Sequence, residues 1–507
     1  MTGAGTPPEA PPELRAALDG VLERIRSGDN EAALAQCEAL AGRFPQHADP
    51  LHLTGYLYQL KGAHERAIAW FERAARAAPD NAEIFNNYAS SLKNLQRFGE
   101  AEELYRRALS LDPENGIAHY NFADLLLLVE RPAEALARSR NAIELLPRLA
   151  AAHRLAGFAL QAQGRREEAI EAFRASAASG TERPQAQVCE ALAVLHHGDY
   201  GPGWELYEAR LEVPDMQCLH EHFGYPRWRG ASLAQRTLLV CREQGIGDEI
   251  MFATCLPDLL QVARRCIVTC EPRLQALFAR SFPAATFLSG SEAEIRARLQ
   301  GEKVDFQIPA GSLPSVFRQA AEDFPARDAH LAADPARVEY WRAHLAALGP
   351  GPKLGLAWRA GGQRTGGQRR SLPLEALAPL LELPGAHWIS LQHDAQAAGD
   401  IARVAGSIPG TRIAHWPEVL ASYDDTAALL AALDLSVSVC GSIVHLAGAI
   451  GRPVWVMVPW LAEWRYGESG ESMAWYRSPR LFRQLAYGDW PPVVERLRRE
   501  LQARFPS

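Results

Sequence analysis

Residues 65–79 read ERAIAWFERAARAAP and residues 99–113 read GEAEELYRRALSLDP, so that the two stretches align at an offset of 34. The same offset links Pro45, Pro79, Pro113 and Pro147. It also aligns Ala67 with Ala101, Ala135 and Ala169, Phe71 with Tyr105 and Phe173, and Ala74 with Ala108 and Ala142. Small residues let two helices approach closely, and an aromatic fills the gap between them. Proline closes the second helix, because it lacks an N–H and restricts the residue before it. Each unit is therefore a helical hairpin that buries its apolar face only by stacking on its neighbours.

An earlier unit fits residues 14–47, with Gly28 and Ala33 in register, and a degenerate one fits 184–212, with Gly198 and Tyr207. The pattern resembles the tetratricopeptide repeat. The reading is a helical solenoid over 14–212, preceded by a disordered lead over 1–13. Such a solenoid usually presents a groove to an extended peptide, so a protein or peptide partner is expected. Asn87 and Asn121 share one repeat position, where their amides could hold a peptide backbone; packing or solvation explains them equally well.

The net charge of −7 disfavours a generic nucleic-acid binder, which is more often basic. No uninterrupted apolar run reaches the roughly 18 to 20 residues that span a bilayer, and Met1–Pro12 carries no hydrophobic signal core. The eight cysteines form no CxxC pair and lie in apolar segments, which fits reduced thiols and a cytoplasmic location.

Residues 213–235 hold Pro214, Gly224, Pro226, Trp228 and Gly230 without clear periodicity and read as a connector. Its Cys218, His220 and His222 have no second cluster at zinc spacing, so no metal is expected. Beyond it, short β-rich runs alternate with amphipathic stretches, the signature of parallel sheets covered by helices. Strands are predicted at Thr237–Arg242, Ile267–Glu271 and Val304–Ile308, then at Leu354–Trp358, His387–Leu391, Thr411–Ala414, Leu435–Val439 and Val454–Val458. Gly349–Gly351 read as a hinge between two Rossmann-like domains, 236–348 and 349–507, whose strand ends face a common cleft.

Three loops at such strand ends carry candidate chemistry. Glu243–Asp248 offers Gly245 and Gly247 for close backbone approach, and Asp248 stands where a helix begins at about Glu249, as a cleft carboxylate or as a plain N-cap. Cys440–Ser442 precedes the helix Ile443–Ala449. Its Gly441 backbone, the Ser442 hydroxyl and the free N–H groups there make a seat for a diphosphate, with His445 one turn in. His445 could equally be a packed histidine. Arg359–Ser371 carries Gly361, Gly362, Gly366 and Gly367 with Arg359, Arg364, Arg369 and Arg370, suited to an anion or to a solvated surface loop. Gln392, just after a strand, reads as a nucleotide-base contact or as a structural amide.

Gln244–Asp248 with its helix, Asp425–Leu433, SIVHLAGAIG at 442–451, Arg452–Val458, and the ending Trp464, Arg465, Trp475, Tyr476 and Leu481–Gln484 resemble the heptosyltransferase-like glycosyltransferases of family 9, in the form fused to tetratricopeptide repeats. The resemblance implies a GT-B body, a nucleotide-sugar donor, inversion at the anomeric carbon, and no cofactor or metal. It implies Asp248 as the catalytic residue, Ser442 and His445 in the diphosphate loop, and Arg370 with Ser371 as a recurrent pair. Where that family has Asp-Thr before the serine, this chain has Cys440 and Gly441. That departure keeps a second function open, a repeat scaffold with an inactive transferase body; a nucleotide-sugar isomerase on the same framework is a third.

Overall fold

The computed structural model describes residues 10–180, 182–216, 223–361, 367–408 and 412–506. Residues 1–9 of the lead predicted over 1–13, with Cys218, His220, His222, Gly362, Arg364, Gly366 and Thr411, lie outside them, whereas Pro12 and Glu13 at its end already belong to the first helix. The chain forms two compact units, Met1–Ala186 and Gln187–Ser507.

The first unit is built of helical hairpins. Pro12–Arg26 pairs with Asn30–Arg43, Ala48–Leu60 with His64–Ala77, Ala82–Asn94 with Phe98–Leu111, Gly116–Leu128 with Pro132–Leu145, and Ala150–Ala162 with Arg166–Ala178. The repeated alanines are fully buried, as are Phe71, Tyr105 and Phe173. Each large ring has a matched neighbour. A Cβ on Gly55 would come within 2.7 Å of the Phe71 ring, and one on Gly157 within 2.4 Å of Phe173. Gly55 and Gly157 share a repeat position with Ala89 and Ala123, and Ser139 takes the aromatic's place in the fourth hairpin. In the second and fifth hairpins a glycine thus makes room for the ring.

The predicted solenoid is longer than the observed one. Helices Arg183–His197 and Tyr200–Tyr207 begin the second unit's contribution, and from Ala191 onward their apolar side chains (Leu195, Trp204, Tyr207) join the core of the α/β body. Trp204 donates to the Arg318 carbonyl at 2.8 Å and packs edge-on against Trp464 and Trp475. A degenerate repeat lacks the next hairpin to stack on, and the body supplies that surface instead.

The second unit holds two parallel sheets. The first contains β1 (Thr237–Cys241), β2 (Arg265–Thr269), β3 (Ala285–Leu288) and β4 (Phe306–Pro309) in the order 3-2-1-4. The second contains β5 (Lys353–Ala357), β6 (His387–Ser390), β7 (Ile413–Ala414), β8 (Leu435–Val439), β9 (Val454–Val458) and β10 (Pro479–Arg483) in the order 10-9-8-5-6-7. Counted from its own first strand, the second sheet runs 6-5-4-1-2-3, the order of doubly wound α/β folds, and the first sheet repeats its opening half. Predicted boundaries shift by one or two residues at most strands. β3 and β10 were not predicted: β3 is four residues at a sheet edge, and Arg480 and Arg483 break the apolar run of β10.

The connector is not a free linker. Trp228 N–H donates to the Gln307 carbonyl and Gln307 N–H to that of Pro226, so that the chain extends the first sheet beyond β4. Helix Pro335–Ala346 precedes the predicted hinge yet packs on Tyr423–Ala432 of the second lobe, where Arg337 forks onto Asp425 at 2.7 and 2.8 Å. The lobe boundary therefore falls before Pro335, not at Gly349. Arg280 of the first lobe reaches Asp424 of the second, Nη2 to Oδ2 at 2.6 Å.

The space around each glycine predicts opposite outcomes for two alanine substitutions. Gly157→Ala should destabilise the repeat unit by about 1–3 kcal/mol, because the Phe173 ring must move. Gly42→Ala, where a Cβ meets nothing within 4 Å inside a helix, should stabilise by up to about 1 kcal/mol. Urea denaturation of the full chain measures both.

Candidate functional site

In a doubly wound sheet, the strands on either side of the order reversal leave a crevice at their carboxyl ends. Here those strands are β5 and β8, followed by Arg359–Ser371 and Cys440–Ser442. In the first sheet they are β1 and β4, followed by Glu243–Asp248 and Ala310–Ser312. Topology alone therefore directs all three candidate loops to strand ends.

The loops after β1 and β8 meet. Helix Ile246–Phe252 packs against helix Ser442–Ala449, and a Cβ on Gly247 would lie 3.1 Å from His445 Cδ2 and 3.5 Å from Ser442 Cα. Glycine at 247 thus eases the close approach of the two helices. The left-handed backbone of this loop falls on Gln244 instead, at φ 61°, whereas Gly245 is extended at φ −94°.

Asp248 is not the N-cap. The helix starts at Ile246, so Gly245 caps it and Asp248 is its third residue, with Oδ2 accepting the Gly245 N–H at 3.2 Å. Its other oxygen faces Arg465 Nη1 at 2.7 Å, both side chains being largely buried. Burial opposes the charge on Arg465, but Asp248 and Glu463 outweigh it and keep the guanidinium protonated. Glu463 in turn pairs with Arg370 and lies 3.8 Å from Arg465. Arg370, Glu463, Arg465 and Asp248 so form a line of alternating charge drawn from both lobes.

The neighbouring carboxyl differs. Glu249 is buried in the first lobe, accepts the Glu271 N–H at 2.9 Å, and is pushed up to about 7 by desolvation.

Ser442 opens its helix one residue earlier than predicted, and its hydroxyl accepts from the Tyr423 phenol at 2.7 Å. His445 is buried, with Nδ1 3.2 Å from the Tyr476 hydroxyl. Burial, then the fields of Arg465 and Arg370, hold its pKa well below the usual imidazole value. The ring is neutral at pH 7 and offers hydrogen bonds without charge.

Cys440 is fully buried, and desolvation pushes its thiol up to about 12. Gly441 is extended at φ −168°, but a Cβ there would come 2.8 Å from the Ala360 Cβ. The departure from Asp-Thr is therefore matched by its surroundings: a buried site for the thiol, and a glycine against the loop after β5.

That loop divides its arginines. Arg359 is spent on Asp394, at 2.5 Å, and on Asp400, which also accepts from the Trp358 indole. Arg370 is buried at the charged line, and Arg369 is exposed. Gln392 is also engaged within the protein. Its oxygen accepts the N–H groups of Trp358 and Arg359 at 3.2 and 3.0 Å, and its nitrogen donates to the Arg359 carbonyl and to Asp394. It braces the start of the loop, the role of a structural amide.

The repeat asparagines are also engaged. Asn87 Nδ2 lies 2.9 Å from His52 Nε2, Asn86 donates to Asn87 Oδ1, and Asn121 donates to Asn86 Oδ1 at 3.0 Å. The expected peptide ladder is in this structure a polar seam joining three successive hairpins.

Sequence reasoning assigned no role to Arg465, Glu463 or Tyr423. A charged pair inside the aromatic run 460–466 was the available signal, since a buried charge needs a partner.

Helical repeats followed by a parallel α/β body define the class, a tetratricopeptide-repeat protein with an appended α/β unit. Tetratricopeptide-repeat models match residues 18–82 and 82–115. The chain belongs to the family of Protein FlbA of Caulobacter vibrioides (strain ATCC 19089 / CIP 103742 / CB 15), with which it is 30% identical over 495 residues, 94% of this chain and 82% of that one. It is also similar to the crystal structure of PilW, a widely conserved type IV pilus biogenesis factor, at 21% identity and a TM-score of 0.38, covering 41% of this chain and 95% of that one. For YrrB, a TPR protein with an unusual peptide-binding site, the values are 20%, 0.30, 35% and 92%. Among the described residues, no helix is long and apolar enough to cross a membrane.

The tight fit at Gly441 gives a prediction. Gly441→Thr should lower the thermal midpoint of the α/β unit, and adding Ala360→Gly should recover part of the loss, because the clash is between those two Cβ positions. Thermal unfolding of the single and double variants checks this.

Proposed function

We propose that this chain is an inverting glycosyltransferase of GT-B architecture that moves a sugar from a nucleotide-sugar donor to a protein or peptide acceptor held by its repeats. One observation carries the reading: Asp248, Ser442, His445, Arg370 and Arg465 converge from the carboxyl ends of two facing parallel sheets. The repeats supply the argument for a protein partner.

In this reading Asp248 takes the proton of the acceptor hydroxyl as its oxygen attacks the anomeric carbon. The bond from that carbon to the phosphate oxygen breaks, and its electron pair leaves with the nucleotide. The Ser442 hydroxyl, the first N–H groups of Ser442–Ala449 and neutral His445 donate to the departing phosphate, and Arg370 supplies charge. Protonation of Asp248 removes the nearer of the two carboxylate partners of Arg465, so more of the guanidinium charge becomes available to the phosphate as the phosphate gains its own. Base and leaving-group stabiliser are thus coupled through one ion pair.

A second reading is a scaffold whose body no longer transfers sugar. It is favoured by Asp248, whose two oxygens already face Gly245 N–H and Arg465, and by Cys440 and Gly441 in the donor loop.

The variant Asp248→Asn separates the two. It keeps the shape and the acceptor for Gly245 N–H but cannot take a proton. Sugar transfer or donor hydrolysis should fall by about a hundredfold or more, with nucleotide affinity held or raised within a few-fold, because Arg465 loses its nearer carboxylate partner. Turnover equal to that of the parent would remove Asp248 from the chemistry; absence of nucleotide binding in the parent would favour the scaffold.

A further inference from the structure

Gln244 adopts φ 61°, a conformation that costs a non-glycine residue energy unless its surroundings hold it. Its side-chain amide donates to the Tyr207 hydroxyl at 2.6 Å. The residue before it is held as firmly. Glu243 is 1% exposed and accepts a forked pair from Arg210, Nε and Nη2, at 2.8 Å each, together with the N–H of Gly311. Arg210 is itself fully buried, lies over the Tyr207 ring at 4.6 Å, and donates to Ser312 at 2.8 Å.

Tyr207 and Arg210 lie in the stretch whose periodicity reads as a degenerate repeat, 30 residues before β1 in the case of Tyr207. Their polar groups are directed at Glu243 and Gln244, the last two of the three residues between β1 and the glycine-aspartate turn. A helix that served only as a solenoid cap would need apolar contact with the body, which Trp204 already gives; a buried ion pair and a phenol bond add cost unless they fix a conformation. The conformation they fix is the left-handed step at Gln244, and that step sets the direction in which Gly245–Asp248 leaves the strand.

We propose that Tyr207 and Arg210 are positioning residues for Asp248, so that the segment from Tyr200 to Glu212 is part of the site's machinery and not of the repeat array. The effect on turnover rests on the transferase reading; the effect on loop conformation does not.

Tyr207→Phe tests this in the full chain, since it removes only the hydroxyl and keeps the ring packed. Arg210→Met would leave Glu243 buried and unpaired and could fail to fold, so the phenol is the better probe. Amide hydrogen exchange should rise over residues 243–249 in Tyr207→Phe, with other segments unchanged. Adding Gln244→Asn should restore much of the protection, because asparagine tolerates the left-handed region without a partner. Where the parent transfers sugar, kcat should drop about tenfold to a hundredfold in Tyr207→Phe with the donor KM within twofold, and recover in the double variant. Unchanged exchange over 243–249, or a loss that Gln244→Asn does not repair, overturns the proposal. The exchange pattern with a parent that turns over no nucleotide-sugar supports the positioning role and counts only against the transferase reading.

Discussion

The packing of helix Ile246–Phe252 against helix Ser442–Ala449, closest at Gly247, is the interaction that joins the two sheets of the α/β unit at their strand ends. It brings two short helices, each launched from the carboxyl end of a central strand, into direct contact. A Cβ at 247 would sit tightly against His445, at 3.1 Å from Cδ2, and in ordinary contact with Ser442. Buried residues of both lobes then form one continuous core, from Val240 and Ile250 on one side to Val444 and Val456 on the other. The meeting of the strand ends is therefore a packed interface with polar groups set into it, and the geometry of those groups follows from the packing.

Two helix amino ends in contact place unsatisfied N–H groups and partial positive charge together, where an anionic group is stabilising. Asp248 supplies one inside the first turn. Its charge is balanced by Arg465, and the row continues through Glu463 to Arg370. Arginine suits each position, since its fork can serve two acceptors and it keeps its charge when buried. Pairs of this kind offset the cost of burial without adding much net stability.

Much of this was legible in the sequence. The 34-residue period located the hairpins, and the alternation of β-rich runs located eight of the ten described strands, because both signals are local and repeated. What escaped was set by distant contacts. The end of the solenoid depends on whether a hairpin finds another hairpin or a different surface to cover, and Trp204 and Tyr207 look alike in either case. The helix Pro335–Ala346 sits before Gly349 in sequence but is held by Asp425. Asp248, Ser442, His445 and Arg370 were picked from their loops and do come together, whereas Gln392, Arg359, Asn87 and Asn121 carried polar groups whose partners lie about 30 to 40 residues away. Arg465 gave the weakest signal of all, since only the fold reveals that Asp248 stands opposite.

The most direct measurement is calorimetric titration of the full chain with a panel of nucleoside mono- and diphosphates, repeated on Ser442→Ala. The account predicts that at least one nucleotide binds and that its affinity falls about fivefold to thirtyfold in the variant, the scale of one hydrogen bond to a charged group. Absence of binding across the panel, or binding that Ser442→Ala leaves unchanged, would contradict it.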